Sequence, residues 1–257
     1  MKINTFFFWI IFSGITFSGL LASENDLLPG TIIDGDIMIG ENEDPWDRRD
    51  GPLVDMREKR WPRAVVLYDL NETIYSVWDL YVIREAILEI ERGTCIKFVR
   101  RKHEKDYIYI TPFGGCWSYI GRQGAQQTLS LSVPQCINKG TILHEFLHAL
   151  GFWHEHSRSD RDEYIEILWE NVMNEEKKAN FEMHLPEAEN FVKFPYDYWS
   201  VMHYDAYAFS KAPKLPTMKP KKPNVRLRDL GKAKAIGVLT NTDREKLKAL
   251  YECDNIK

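Results

Sequence analysis

The 257-residue sequence has only four cysteines, and no two of them form a C-x-x-C pair. That absence argues against a cysteine-ligated zinc module. Past the first 23 residues no apolar run is long enough to cross a bilayer. Positive charge is not concentrated either: the net charge is −4, with no strongly basic domain and no nucleic-acid-binding motif. A nucleic-acid partner is therefore not expected. The acidity itself is local. Residues 1–49 hold three basic groups (Lys2, Arg48, Arg49) and eight acidic ones, a balance of −5 that leaves +1 for the remainder.

What is present begins with MKINTFFFWIIFSGITFSGLLAS, one lysine followed by an apolar run ending in small residues. This is the pattern of a secretory signal peptide, residues 1–22, cut after Ala22 or Ser23. A membrane anchor is the alternative, but Ser13, Gly14, Thr16, Ser18 and Gly19 interrupt the run and no basic stop-transfer cluster follows. The mature protein is expected to be extracellular and soluble, with no membrane span. There Cys95, Cys116, Cys136 and Cys253 would form two disulfides, for which the sequence alone permits three pairings. Residues 24–49 are acidic and loop-like, with Pro29, Gly35, Gly40 and Pro45. The length suits one sizeable domain with a single core.

The most informative stretch is residues 144–156, HEFLHALGFWHEH. If residues 141–150 are helical, His144 and His148 stand one turn apart on one face and can bind a single metal ion. Glu145, one residue round the helix, can reach a water on that metal. Gly151 can take the left-handed conformation that ends the helix and brings His154 back as a third nitrogen ligand. Three histidines with one open position describe a catalytic zinc site, because a structural site is closed by four protein ligands. A surface helix carrying H-E-x-x-H by chance is the bland reading; the glycine, the third histidine and a downstream methionine segment weigh against it.

The string HEFLHALGFWHEHSRSDRDEYI, followed by SVMHY at residues 200–204, resembles the astacin family of zinc endopeptidases, within the metzincin group. TCIKFV from Thr94, GCWSYIGR from Gly115 and LYEC from Leu250 extend the resemblance over about residues 61–253. It implies an α+β, two-lobed zinc protease. The N-lobe would be a twisted mixed sheet with two long helices, and the C-lobe mostly irregular with a C-terminal helix. It also selects the pairs Cys95–Cys253 and Cys116–Cys136, and one Zn2+ per chain held by His144, His148 and His154. Glu145 would act as general base and then general acid. Tyr204 would be a further zinc ligand at rest that swings away to hydrogen-bond the oxyanion, and Met202 an apolar floor below the ligands.

By the same resemblance, residues 23–49 are a propeptide and 50–257 the catalytic domain. IDGDI at residues 33–37 is similar to the family's F-x-G-D motif, with Ile33 in place of the aromatic. Asp36 would then ligate the zinc in the zymogen only. Arg49 is the expected activation cleavage point for an activating protease, with the cluster Arg57, Lys59 and Arg60 as a competing one. The new amino group would reach Glu155. A protein or peptide substrate would lie extended and antiparallel against an edge strand around residues 116–120. Asn71-Glu72-Thr73 is an N-glycosylation acceptor.

Strands are expected over residues 64–70, 96–100, 107–111, 117–120 and 128–131. A core-facing helix is expected from the spacing of Ile74, Val77, Trp78, Tyr81, Ala86, Ile87 and Ile90, stopped by Gly93. Residues 169–181 carry helical spacing, residues 211–234 read as a solvated lysine-rich loop, and a final helix starts at Thr242 with Glu245 completing a capping box. Lys214, Lys219, Lys221 or Lys222 could instead favour an acidic residue after the scissile bond. His103, His156, His184 and His203 read as surface or packing residues. A monomer without an appended interaction domain is expected. The competing class is a non-catalytic binding module that keeps the fold, against which Glu145 and Tyr204 argue.

Overall fold

The computed structural model describes residues 30–40, 57–183 and 193–256. The residues expected to form a signal peptide, those of the expected propeptide outside 30–40, the expected cleavage point at Arg49 with Asp50, and His184 lie outside the described residues.

The architecture is α+β. Among the described residues, the main sheet comprises β1 (Gly30–Ile33), β2 (Ile37–Gly40), β3 (Val65–Leu70), β4 (Lys97–Arg100), β5 (Tyr107–Thr111), β6 (Cys116–Tyr119) and β7 (Gln126–Leu131). Their order across the sheet is β1-β2-β6-β7-β5-β3-β4. β3 pairs parallel with β4 and β5, β5 parallel with β7, and β6 antiparallel with β7. The parallel β3/β4 pair requires a crossover, which α1 (Val77–Glu91) supplies. Val66, Ile108, Ile110, Leu129 and Leu131 point from these strands into one core shared with α1 and α2 (Lys139–Ala149).

α1 begins with a capping box, Asp79 N–H donating to Ser76 Oγ at 3.2 Å and Ser76 N–H to Asp79 Oδ2 at 2.8 Å. Its second half buries Ile83, Ala86, Ile87 and Ile90, as the spacing requires. The first half departs from expectation. Ile74, Val77, Trp78 and Tyr81 are exposed, Val77 by 86%, and Trp78 stacks on Tyr81 at 5.3 Å. Periodicity reports a shared face; whether anything covers that face is a tertiary matter.

The second lobe has a smaller core around Ile165, Phe181, Met218 and Leu230, with β8 (Ile165–Ile167) pairing antiparallel with β9 (Met218–Pro220). The helix expected over 169–181 is interrupted: Asn174 caps α3 (Glu175–Lys178) by accepting from Lys177 N–H at 2.9 Å, with short 3-10 turns on either side. The lysine-rich segment also has more structure than a solvated loop, containing β9, buried Leu230 and α4 (Lys232–Ile236).

The last helix, α5 (Asn241–Tyr251), is capped two residues earlier than expected, by Thr240 with Asp243. Asp243 outcompetes Glu245 because it also accepts from Ser200 Oγ (2.6 Å) and Val201 N–H (3.1 Å), and so fastens the helix start to the SVMHY segment. Disulfides join Cys95 to Cys253 and Cys116 to Cys136, with Cα separations of 5.3 and 5.7 Å. The first closes a span of 158 residues, the geometry in which chain-entropy models give most stabilisation, about 4 to 5 kcal/mol.

α2 and α4 touch at Gly140, where an added Cβ would lie 1.7 Å from the Lys234 carbonyl oxygen. Gly140→Ala must push the two helices apart and is expected to cost about 3 kcal/mol in urea unfolding. A loss below about 0.5 kcal/mol would contradict this packing.

Candidate metal centre

α2 is nucleated by Asn138, whose side chain accepts from Thr141 N–H at 2.9 Å, and it is buried on nearly every side. Its 3.6-residue period sets His144 and His148 on one face, with Glu145 beside them. Gly151, at φ 105°, ends the helix, and Phe152 N–H returns to the Leu147 carbonyl at 3.0 Å. A residue with a Cβ would be strained in that conformation. The reversal brings His154 Nε2 to 3.1 Å from His144 Nε2, while His148 Nε2 lies 3.2 Å from the same atom.

Asp36, in the turn between β1 and β2, completes the group. Its carboxylate oxygens lie 3.1 Å from His144 Nε2, 3.4 Å from His148 Nε2 and 3.0 Å from His154 Nε2. All four donor atoms fall within 4.8 Å of one another. A tetrahedral zinc with bonds near 2.0–2.1 Å holds its ligand atoms about 3.3 Å apart, so the donor set fits that ion.

Ring orientation supports the same fit. His144 Nδ1 donates to the Val201 carbonyl at 2.8 Å and His148 Nδ1 to the Phe152 carbonyl at 2.7 Å. A carbonyl can only accept, so each Nδ1 carries the proton and each Nε2 turns a lone pair to the centre. Both Glu145 oxygens are buried with no hydrogen-bond partner among the described residues, as expected of a carboxylate that serves an exogenous group.

Burial pushes the His144 and His154 pKa values down, favouring the neutral ligand form. For Asp36 burial acts upward, but His154 and His144 outweigh it and hold the carboxyl well below its ordinary range. Glu145 is pushed well above its ordinary value, first by burial and then by the Asp36 charge. Tyr204 is likewise raised, by burial and then by Asp36 and Asp34. The Tyr204 hydroxyl donates to the Asp34 carbonyl, and its ring stacks on His156 at 3.9 Å. Met202, 1% exposed, packs in the main core, and its carbonyl accepts from Glu155 N–H at 2.9 Å.

His103 is exposed, and His156 and His203 are buried packing residues; burial lowers His203 to about 4. Lys219 pairs with Glu166 at 3.1 Å, Lys221 donates to the Asp162 carbonyl and Lys222 sits over Tyr164. Sequence reasoning missed three residues. Lys234 lines a cavity of about 540 Å³ with Asp36 and Tyr204 and places its charge near His144 and Glu145. Asp34 is buried beside His154. Lys246, 2% exposed, reaches Glu155, which also binds Arg158 Nη1 and Asp197 N–H, each at 3.0 Å. Asp34 sits inside the IDGDI string next to the expected ligand Asp36, a local signal read only for Asp36, whereas Lys234 and Lys246 meet the site only through the fold.

The family model for Astacin, a peptidase family, matches residues 53–252, and the chain belongs to that family. It is 39% identical over 206 residues to Zinc metalloproteinase nas-4 of Caenorhabditis elegans, covering 77% of this chain and 61% of that one. Astacin-like metalloprotease toxin 1 of Loxosceles intermedia is 35% identical over 247 residues, 92% of this chain and 87% of that one. Among solved structures, High choriolytic enzyme 1, a hatching enzyme zinc-protease from Oryzias latipes, superposes with a TM-score of 0.67 at 37% identity, covering 76% of this chain and 93% of that one. The chain thus spans less than two thirds of the nas-4 protein's length.

The Glu155 cluster carries a stability prediction. Burial alone would raise the Glu155 pKa, but Lys246 and Arg158 hold it below the ordinary value. Its contribution is therefore full above the unfolded value of about 4.3 and fades as pH falls through the lower folded one. Lys246→Met should lose about 3 kcal/mol at pH 7 in urea unfolding. The gap from wild type should narrow as Glu155 protonates in acid; a gap that widens there would contradict the pairing.

Proposed function

We propose that this chain is a secreted zinc endopeptidase made as a zymogen, with Asp36 as its latency switch. The observation that carries the reading is the convergence of three imidazole nitrogens and one prosegment carboxylate beside the unpartnered Glu145. Zinc bound by His144, His148 and His154 would supply a Lewis acid and lower the pKa of a bound water to about 7.

The chain's own residues supply the rest. Glu145 takes a proton from the attacking water and returns it to the leaving amine. Tyr204, freed from the Asp34 carbonyl, donates a hydrogen bond to the oxygen of the substrate carbonyl as charge develops there. Loss of Asp36 with the prosegment also removes the second cause of the raised Glu145 pKa, so activation favours the ionised base.

The β6 edge would receive an extended protein or peptide substrate in the antiparallel sense. In the latent form β2 holds that edge in parallel, Ile37 against Ser118 and Met38 against Tyr119, with Ser118 N–H donating to the Asp36 carbonyl at 3.1 Å. Reversed polarity is what a segment that must block the cleft without being cut requires.

Processing after Arg49 would free an amino group at Asp50, which would join Lys246 and Arg158 at Glu155. Residues 1–22 would direct secretion, and among the described residues no helix is long and apolar enough to cross a membrane. Asn71 precedes exposed Glu72 and Thr73, a setting open to glycan transfer.

Two outcomes test this reading. After processing at Arg49, Glu145→Gln should lower kcat by roughly 1000-fold while zinc content stays at wild type; residual turnover near wild type, or chelator-resistant cleavage, would favour a non-catalytic module or another chemistry. Asp36→Asn should make the uncleaved proenzyme hydrolyse peptides, and a proenzyme that stays silent would refute the switch.

A further inference from the structure

The three imidazoles are not held alike. His144 and His148 each rest their Nδ1 on a backbone carbonyl of the catalytic domain, at 2.8 and 2.7 Å. His154 Nδ1 is buried and makes no hydrogen bond among the described residues. The Asp34 carboxylate faces it, with Oδ2 4.0 Å away.

Asp34 is an unusual place for an acid. Its side chain is 1% exposed, and its backbone takes the left-handed conformation at φ 47°, which Asp tolerates better than most residues. Its carbonyl is held by the Tyr204 hydroxyl, and two residues on, the Asp36 carbonyl is held by Ser118 N–H at 3.1 Å. The turn is therefore pinned on both sides of its tip, and the carboxylate's place beside His154 is a fixed feature of the docked segment. Metal-bound histidines commonly donate their other ring N–H to a carboxylate, which fixes the ring and strengthens its basicity.

We propose that Asp34 is the orienting carboxylate of His154, so that the prosegment grips the metal centre twice. Asp36 faces the Nε2 side of the three rings, and Asp34 backs the Nδ1 of the third. Closure by roughly 1 Å converts this approach into an N–H···O hydrogen bond. His144 and His148 keep their partners after activation, whereas His154 loses its own with the prosegment. The third ligand is thus the one whose hold changes between the latent and mature forms. This inference rests on the latent reading above, because it requires that residues 30–40 leave on activation.

The test compares full-length wild-type, Asp34→Ala and Asp34→Glu proenzymes. Zinc loss to excess chelator is followed in time, and the imidazole N–H resonances of histidine-labelled protein are recorded. Asp34→Ala should release zinc 10- to 100-fold more readily and shift or abolish the His154 Nδ1–H signal, with Asp34→Glu recovering part of both. After processing at Arg49 all three have one sequence, so equal zinc retention and equal kcat/KM certify that the variants folded. A wild-type His154 signal unmoved by Asp34→Ala, with zinc release unchanged, overturns the proposal alone. Equal loss in both variants with that signal unmoved assigns Asp34 to packing and also overturns it. A wild-type proenzyme that takes up no zinc overturns the metal reading and this inference together.

Discussion

The convergence of the three Nε2 atoms is the constraint on which the rest of the structure depends. Neutral imidazoles packed about 3 Å apart in a buried site gain little from one another, so the arrangement must be imposed from behind. The Val201 carbonyl imposes it on His144 and the Phe152 carbonyl on His148. Each of those carbonyls has its own support. Phe152 is placed by the turn at Gly151, and Val201 by Asp243 at the start of α5, which Cys253 ties back to Cys95. The C-terminal helix thus acts on the metal centre without touching it, through one carboxylate and one backbone carbonyl.

Residues 30–40, the proposed prosegment, use the same scaffold in reverse. They add two strands to the sheet edge that a substrate would need, place a carboxylate among the three histidines and engage the Tyr204 hydroxyl. Main-chain hydrogen bonds give such an edge contact strength without sequence demand, which accounts for Ile33 serving where an aromatic was expected. Ile33 packs against the main core, so the position asks for apolar bulk more than for a ring. Specificity for the site then rests on charge placed at the turn between β1 and β2.

Much of this was legible because the metal motif is local. His144, Glu145 and His148 are related by one helical turn, and Gly151 announces the reversal that returns His154. β3 to β7 were legible to within one or two residues, but β1 and β2 lie in the acidic stretch expected to be loop-like, where a Gly- and Asp-rich turn masks two four-residue strands, and β8 and β9 carried no expectation. What escaped was what depends on distant partners. Lys234 and Lys246 carry no pattern of their own and meet His144 and Glu155 from more than 80 residues away in sequence, and Asp34, though inside IDGDI, meets His154 only through the fold. The cap of α5 fell at Thr240 and not Thr242 because Asp243 answers to Ser200 and Val201 as well as to its own helix. The exposed Trp78 and Tyr81 make the same point in reverse, since an apolar stripe names a face but not a neighbour.

The account's central claim is a single ion shared by one carboxylate and three imidazoles. X-ray diffraction from proenzyme crystals, recorded on both sides of the zinc absorption edge, tests it most directly. The account predicts one anomalous peak per chain, bonded to Nε2 of His144, His148 and His154 and to an Asp36 carboxylate oxygen at about 2.0–2.2 Å. A peak that leaves out the ring of residue 154, or no peak among these four side chains, would contradict it.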